Sequence, residues 1–95
     1  MNCKNLIEAN FENCIELKKA IFKNCINLVT INFPKVEVLS MEVFSNTSLK
    51  KVELNSVIFL KQYSSYLVYL PGRQFSNCSK LTHVTMKNIK YIDIK

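Results

Sequence analysis

One phrase limits what this chain can fold into. "FKNCINLVTINF" begins at Phe22, "FENCIELKKAIF" at Phe11 and "FSNCSKLTHVTM" at Phe75. A shorter copy, "FSNTSLKKVEL", starts at Phe44, and a headless one, "NCKNLIEANF", at Asn2. A phrase that recurs in this way is either a ligand set or the unit of a repeating architecture. The Asn residues of the five copies stand at 2, 13, 24, 46 and 77, so the intervals are 11, 11, 22 and 31.

Eleven residues are too few for one turn of a leucine-rich solenoid, whose repeats run about 20 to 29 residues. Twenty-two fits one coil with two similar sides, and the interval of 31 is one coil carrying roughly nine extra residues. The tail of each copy alternates apolar and polar residues, as a short half-buried strand does. Leu28, Ile31 and Phe33 are expected to point inward and Thr30 and Asn32 outward. The series Leu6, Ala9, Phe11, then Leu49, Val52, Leu54, and then Leu81, Val84, Met86 repeat that inward pattern. Weaker strands are expected on the opposite side, in "KVEVLS" from Lys35, "SVIFL" from Ser56 and "IKYIDI" from Ile89. The expected fold is mainly β: a leucine-rich-repeat solenoid of about four stacked coils of about 22 residues, with short parallel strands on two sides and little regular helix. Residues 1–95 are expected to form a single repeat domain, a fragment or short version of a longer array, with an insertion at 61–75.

Composition supports this reading. The chain holds one Gly and two Pro, too few to make its bends in the ordinary way, so Asn, which tolerates left-handed geometry, is expected to make them. Leu is the recurrent core residue, Phe fills the corner before each turn, and Cys acts as a small buried hydrophobe. Cys3, Cys14, Cys25 and Cys78 lack the close pairing of zinc ligands, and His83 is the sole histidine, so neither a metal nor another cofactor is expected. Stacking brings Cys3 near Cys25. With no apolar leader visible in "MNCKNLIEANFENC", reduced thiols and a cytoplasmic location are expected for the chain as given.

The fullest copy, "FKNCINLVTINFP" from Phe22 to Pro34, followed by "KVEVLSMEVFSN", resembles the BspA-like leucine-rich repeat family. The resemblance covers the chain from Asn2 to about Lys95. It implies a solenoid of strands and turns and a role in protein binding or adhesion, at the cell surface or secreted where the chain is part of a longer member. Two departures stand out. The Phe44 copy is one residue short, so Thr47 is not expected to sit cleanly at the Cys position. The segment "KQYSSYLVYLPGRQF", from Lys61 to Phe75, is longer than a half-repeat and carries the single Gly and the single Arg. Insertions in solenoids map to one face, and Tyr63, Tyr66 and Tyr69 are of a type that anchors interfaces; the competing reading makes "YLVYL" a core strand.

Three function classes follow. The leading one is a non-catalytic interaction or adhesion module that binds another protein through its outer strand faces. Its candidate residues are Glu8, Asn10, Thr30, Asn32, Lys51, Glu53, His83 and Thr85, with Tyr63 and Tyr66 from the insertion. The alternative is a binder of nucleic acid or anionic surfaces, driven by 13 basic against 7 acidic residues. Its lysines are scattered, however, and the outward positions carry no repeated code. Catalysis is the third class, and the chain has no Gly-rich phosphate loop or nucleophile phrase; the pair Cys78 and His83 is its one conceivable beginning. No apolar run is long enough to span a membrane. The chain also shows no terminal caps, so end-to-end self-association is expected, led by Leu6, Ile7 and Phe11 at the N-terminal end.

Overall fold

The computed structural model describes residues 3–61, 63–64, 69–70 and 73–93, with side chains over 3–60 and 73–90. The recurring phrase is two successive turns. The carbonyl of Phe22 accepts from the N–H of Cys25 at 3.1 Å, and the carbonyl of Cys25 from the N–H of Leu28 at 3.0 Å. Phe75, Cys78 and Leu81 repeat the arrangement at 3.3 and 3.1 Å, and Cys3 to Leu6 repeats its second half at 3.0 Å. Each bond closes a four-residue turn. The spacings from Phe to Cys and from Cys to Leu are therefore the spacings of two linked turns, which deliver Leu to the core just before a strand begins.

The bends use left-handed residues, as a glycine-poor chain requires. Asn24, Asn46 and Asn77 adopt φ of 65°, 58° and 58°. Asn13 does not, so the Asn expectation holds at one corner of the repeat and fails at the opposite one. Four residues before each left-handed Asn stands another left-handed residue: Ala20, Glu42 or Arg73, with φ of 58°, 59° and 57°. Such residues have no intrinsic liking for this region, where a Cβ costs roughly 1–2 kcal/mol. Backbone bonds between neighbouring bends hold them. The N–H groups of Ala20, Phe22 and Asn24 donate to the carbonyls of Met41, Val43 and Ser45 at 2.9, 3.0 and 2.9 Å.

Among the described residues there is no helix, and the strands are short. In chain order they are β1 (Glu8–Asn10), β2 (Glu16–Leu17), β3 (Thr30–Asn32), β4 (Val38–Leu39), β5 (Lys51–Glu53), β6 (Phe59–Lys61), β7 (Tyr63–Ser64), β8 (Tyr69–Leu70), β9 (His83–Thr85) and β10 (Tyr91–Asp93). One parallel sheet runs β10-β6-β4-β2. Two parallel pairs, β1-β3 and β5-β9, form separate sheets. The register advances steadily: Glu8 faces Thr30 and Glu16 faces Val38, each 22 residues further on. Val38 then faces Phe59, 21 residues on, and Phe59 faces Tyr91, 32 residues on. Strands β7 and β8 pair antiparallel within the segment 61–75; Tyr66 lies outside the described residues.

Between the strand rows lies the core. Leu28, Leu39, Leu49, Leu54, Val36, Val43, Val52 and Val57 are buried there. Phenylalanine rings run through it in contact. Phe22, Phe44 and Phe75 stack at 5.8 and 5.4 Å between centroids, and Phe11 stacks on Phe33 at 5.7 Å. The inward series is fully realised at Leu49, Val52 and Leu54 and largely realised at Leu28, Ile31 and Phe33. At the two ends it is realised only in part, with Ala9 buried and Leu6, Leu81 and Met86 packed against the core. Phe11 is 52% exposed and Val84 is 38% exposed, and among the described residues neither β1 nor β9 has a strand paired on its outer side.

Two further expectations are corrected. Cys3 and Cys25 form a disulfide, with Cα atoms 5.0 Å apart, so these thiols are not reduced; Cys14 and Cys78 are free. Two strand-adjacent positions one full repeat apart lie at the spacing a disulfide bridges. Thr47 does occupy the Cys position: it is buried, and its Oγ1 lies 3.3 Å from Cys78 Sγ. The missing residue falls after it, between Thr47 and Leu49, where the second turn is shortened.

Candidate binding face

The period-2 alternation of β1, β3, β5 and β9 sends Ala9, Ile31 and Val52 toward the core and their neighbours outward. Register then gathers the outward residues. Glu8 and Asn10 sit beside Thr30 and Asn32, and Lys51 and Glu53 beside His83 and Thr85. Seven of these eight expected residues are exposed, and Thr85 is half-buried. The Asn32 amide donates to Asn10 Oδ1 at 3.0 Å, so one step of this surface is tied side chain to side chain. Tyr63 is not part of the group, because its strand belongs to the separate β7-β8 pair.

The face is not one sheet. Strands β3 and β5 lie next to each other, yet they belong to different sheets. The break falls at the step where the Phe44 copy is one residue short. On the opposite side β4 and β6 stay paired across the same step. Along the seam runs an open groove of about 700 Å³, with Asn32, Lys51, Glu53, His83 and Thr85 among its walls and Ile31 and Val52 in its lining. Five of the ten sequence-derived candidates therefore share one groove.

Sequence reasoning missed the groove's far end, where Pro34, Asn55 and Ser56 close it. Ser56 Oγ donates to the Pro34 carbonyl at 2.6 Å, Asn55 Oδ1 accepts from the Lys87 N–H at 3.2 Å, and the Asn88 amide donates to the Asn55 carbonyl at 2.7 Å. The only signal for them was their place just after a strand. The groove offers donors, acceptors, both signs of charge and some apolar floor. That mixture suits a polypeptide surface, which presents all four.

The geometry gives the cysteines other work. Cys78 Sγ donates to the Phe44 carbonyl at 3.0 Å, while His83 Nδ1 lies 2.9 Å from Thr82 Oγ1. Each group is thus engaged with a structural neighbour. No cluster of three or more His, Cys, Asp or Glu that could hold a metal occurs among the described residues. One carboxyl is electrostatically distinct. A hydrogen bond from Lys23 holds Glu42 below the usual carboxylate range, aided by the charges of Lys23, Lys19 and Arg73 and opposed by partial burial. That pair, at 2.7 Å, fastens two neighbouring bends and lies away from the groove.

Comparison with known proteins agrees with the recurring turns and the parallel, one-repeat register. The family model for the BspA type leucine rich repeat region matches residues 1–95, in six copies. The chain belongs to the BspA type leucine-rich repeat family. No curated protein and no solved structure matches it. Membership in this family accounts for the F-x-N-C-x-x-L phrase as architecture and points to a repeat module of the protein-interaction or adhesion kind. No helix among the described residues is long and apolar enough to cross a membrane.

Proposed function

We propose that this BspA type repeat chain is a non-catalytic interaction module, and that it takes a segment of another protein in the groove between β3 and β5. The observation that carries the reading is the seam itself: two adjacent strands in separate sheets, with Asn32, Lys51, Glu53, His83 and Thr85 converging on the groove between them. A ladder that ran unbroken through this point would present a flatter face. The chain is read as one repeat domain over 1–95, a two-sided solenoid of about four coils, with 61–75 as an inserted segment. The Cys3–Cys25 disulfide favours an oxidising compartment, hence surface or secreted use in adhesion.

A peptide library displayed on phage tests the groove. Selection on the native chain should enrich sequences that lose binding to the double variant Lys51→Glu/Glu53→Lys, with circular dichroism unchanged. Enriched peptides that bind both proteins equally would place recognition elsewhere. Retention on an immobilised polyanion that falls steeply with salt, with no peptide enriched, would replace this reading by the anionic-surface one.

A further inference from the structure

Charge in the groove is arranged in two rows. The ionisable side chains in its lining are Lys51, Glu53 and His83. Register sets Lys51 directly beside His83 and Glu53 directly beside Thr85. One row is therefore basic, and the other is acidic and polar. Neither row neutralises itself across the strands, because β9 sets no group of opposite charge beside Lys51 or Glu53. Nor do these two pair with each other: the ion pairs among the described residues are Lys18–Glu16 and Lys23–Glu42. Lys51, Glu53 and His83 are all exposed. The His83 ring is steadied by Thr82, whose Oγ1 lies 2.9 Å from Nδ1 and donates to the Lys50 carbonyl at 3.1 Å.

The strand fixes the separation of the rows. Residues two apart on a strand share one face and lie about 6.6–6.8 Å apart. An extended peptide laid along β5 has the same rise and the same alternation. Its residues i and i+2 meet both rows together, while i+1 turns away. A helical ligand presents i+3 and i+4 on one face instead, so the spacing of the ligand's charges tells the two apart.

We propose that the groove reads a charge pair on an extended segment of the partner protein. An acidic side chain sits over Lys51 and His83, and a basic one, two residues away, over Glu53 and Thr85. This proposal rests on the reading of the groove as a protein-binding site and adds the chemistry of its occupant. A segment laid the other way round brings like charges together, so the two rows fix direction as well as composition.

Two selections from one phage-displayed peptide library test this, one on the native chain and one on Lys51→Glu/Glu53→Lys. The native chain is expected to enrich peptides with an acidic and a basic residue two positions apart, in one fixed order. The double variant is expected to enrich the same spacing in the reverse order. Lys51→Gln alone and Glu53→Gln alone should each weaken a native-selected peptide by up to about fivefold, and by less in high salt. Circular dichroism checks that every variant is folded. Asn32→Trp, at an exposed groove position outside the two rows, reports whether a peptide occupies the groove at all. Peptides that are lost on Asn32→Trp but carry no such pair, or keep the same order in both selections, would overturn the charge-pair proposal and leave the groove reading standing. Peptides untouched by Asn32→Trp would overturn both.

Discussion

The ring column offers a sharp test of how position in the stack sets the energetic weight of one residue type. Phe44 is fully buried, with rings of Phe22 and Phe75 stacked on either side at 5.8 and 5.4 Å and Phe33 at 6.2 Å. Truncation to Ala removes the transfer energy of the ring and leaves a cavity that flanking rings cannot fill, a loss of about 3–5 kcal/mol. Two stacked partners, each worth about 0.5–1.5 kcal/mol beyond area, place Phe44→Ala toward the top of that range. Phe11 carries the same side chain and stacks on Phe33 at 5.7 Å, yet it is half-exposed. Its truncation forfeits about half the transfer energy and opens to solvent instead of leaving a void, so about 1.5–2 kcal/mol is expected. Urea unfolding followed by circular dichroism measures both. With a slope near 2 kcal/mol per molar, Phe44→Ala should lower the midpoint by about 2 M and Phe11→Ala by less than about 1 M. Equal losses at the two positions would refute the stacked column as the core.

The disulfide and the one perturbed carboxyl give two further expectations. Cys3–Cys25 closes a loop of 22 residues, for which chain entropy gives about 3 kcal/mol, so mild reduction should lower the unfolding midpoint in the wild type but not in Cys3→Ala/Cys25→Ala. Thiol titration in denaturant without reductant should find Cys14 and Cys78 alone; four reactive thiols would contradict the pairing. Glu42 has its folded pKa lowered, chiefly by the hydrogen bond from Lys23. Its contribution is therefore present above the unfolded carboxylate pKa and lost as pH falls through the lower, folded one. Glu42→Gln should be less stable than wild type by under about 1 kcal/mol at neutral pH, with the gap closing in acid. A gap that widens on acidification would reverse the assigned direction.

The parts of this protein legible in its sequence are those that a dozen consecutive residues settle among themselves. Two linked turns require Phe, Cys and Leu at fixed spacing. A half-buried strand requires alternation, so β1, β3, β5 and β9 and their outward residues could be placed from the text alone. The period of 22 then made neighbours of Glu8 and Thr30, and of Glu16 and Val38. What the text could not settle depends on which residues come opposite one another between repeats. Across the repeat shortened after Thr47, β4 and β6 stay paired while β3 and β5 belong to separate sheets. The groove lies along that break, and no local preference of Ile31 or Val52 encodes it. Ala20, Glu42 and Arg73 likewise take left-handed geometry against their own preference, held by backbone bonds to the neighbouring bend. Cys3 pairs with Cys25 while Cys78, in the same phrase, meets Thr47 instead, a choice made by stacking order. Phe11 and Val84 read as core residues and are exposed, because burial in a stacked fold is supplied by the neighbouring repeat, and among the described residues no strand pairs with β1 or β9 on its outer side.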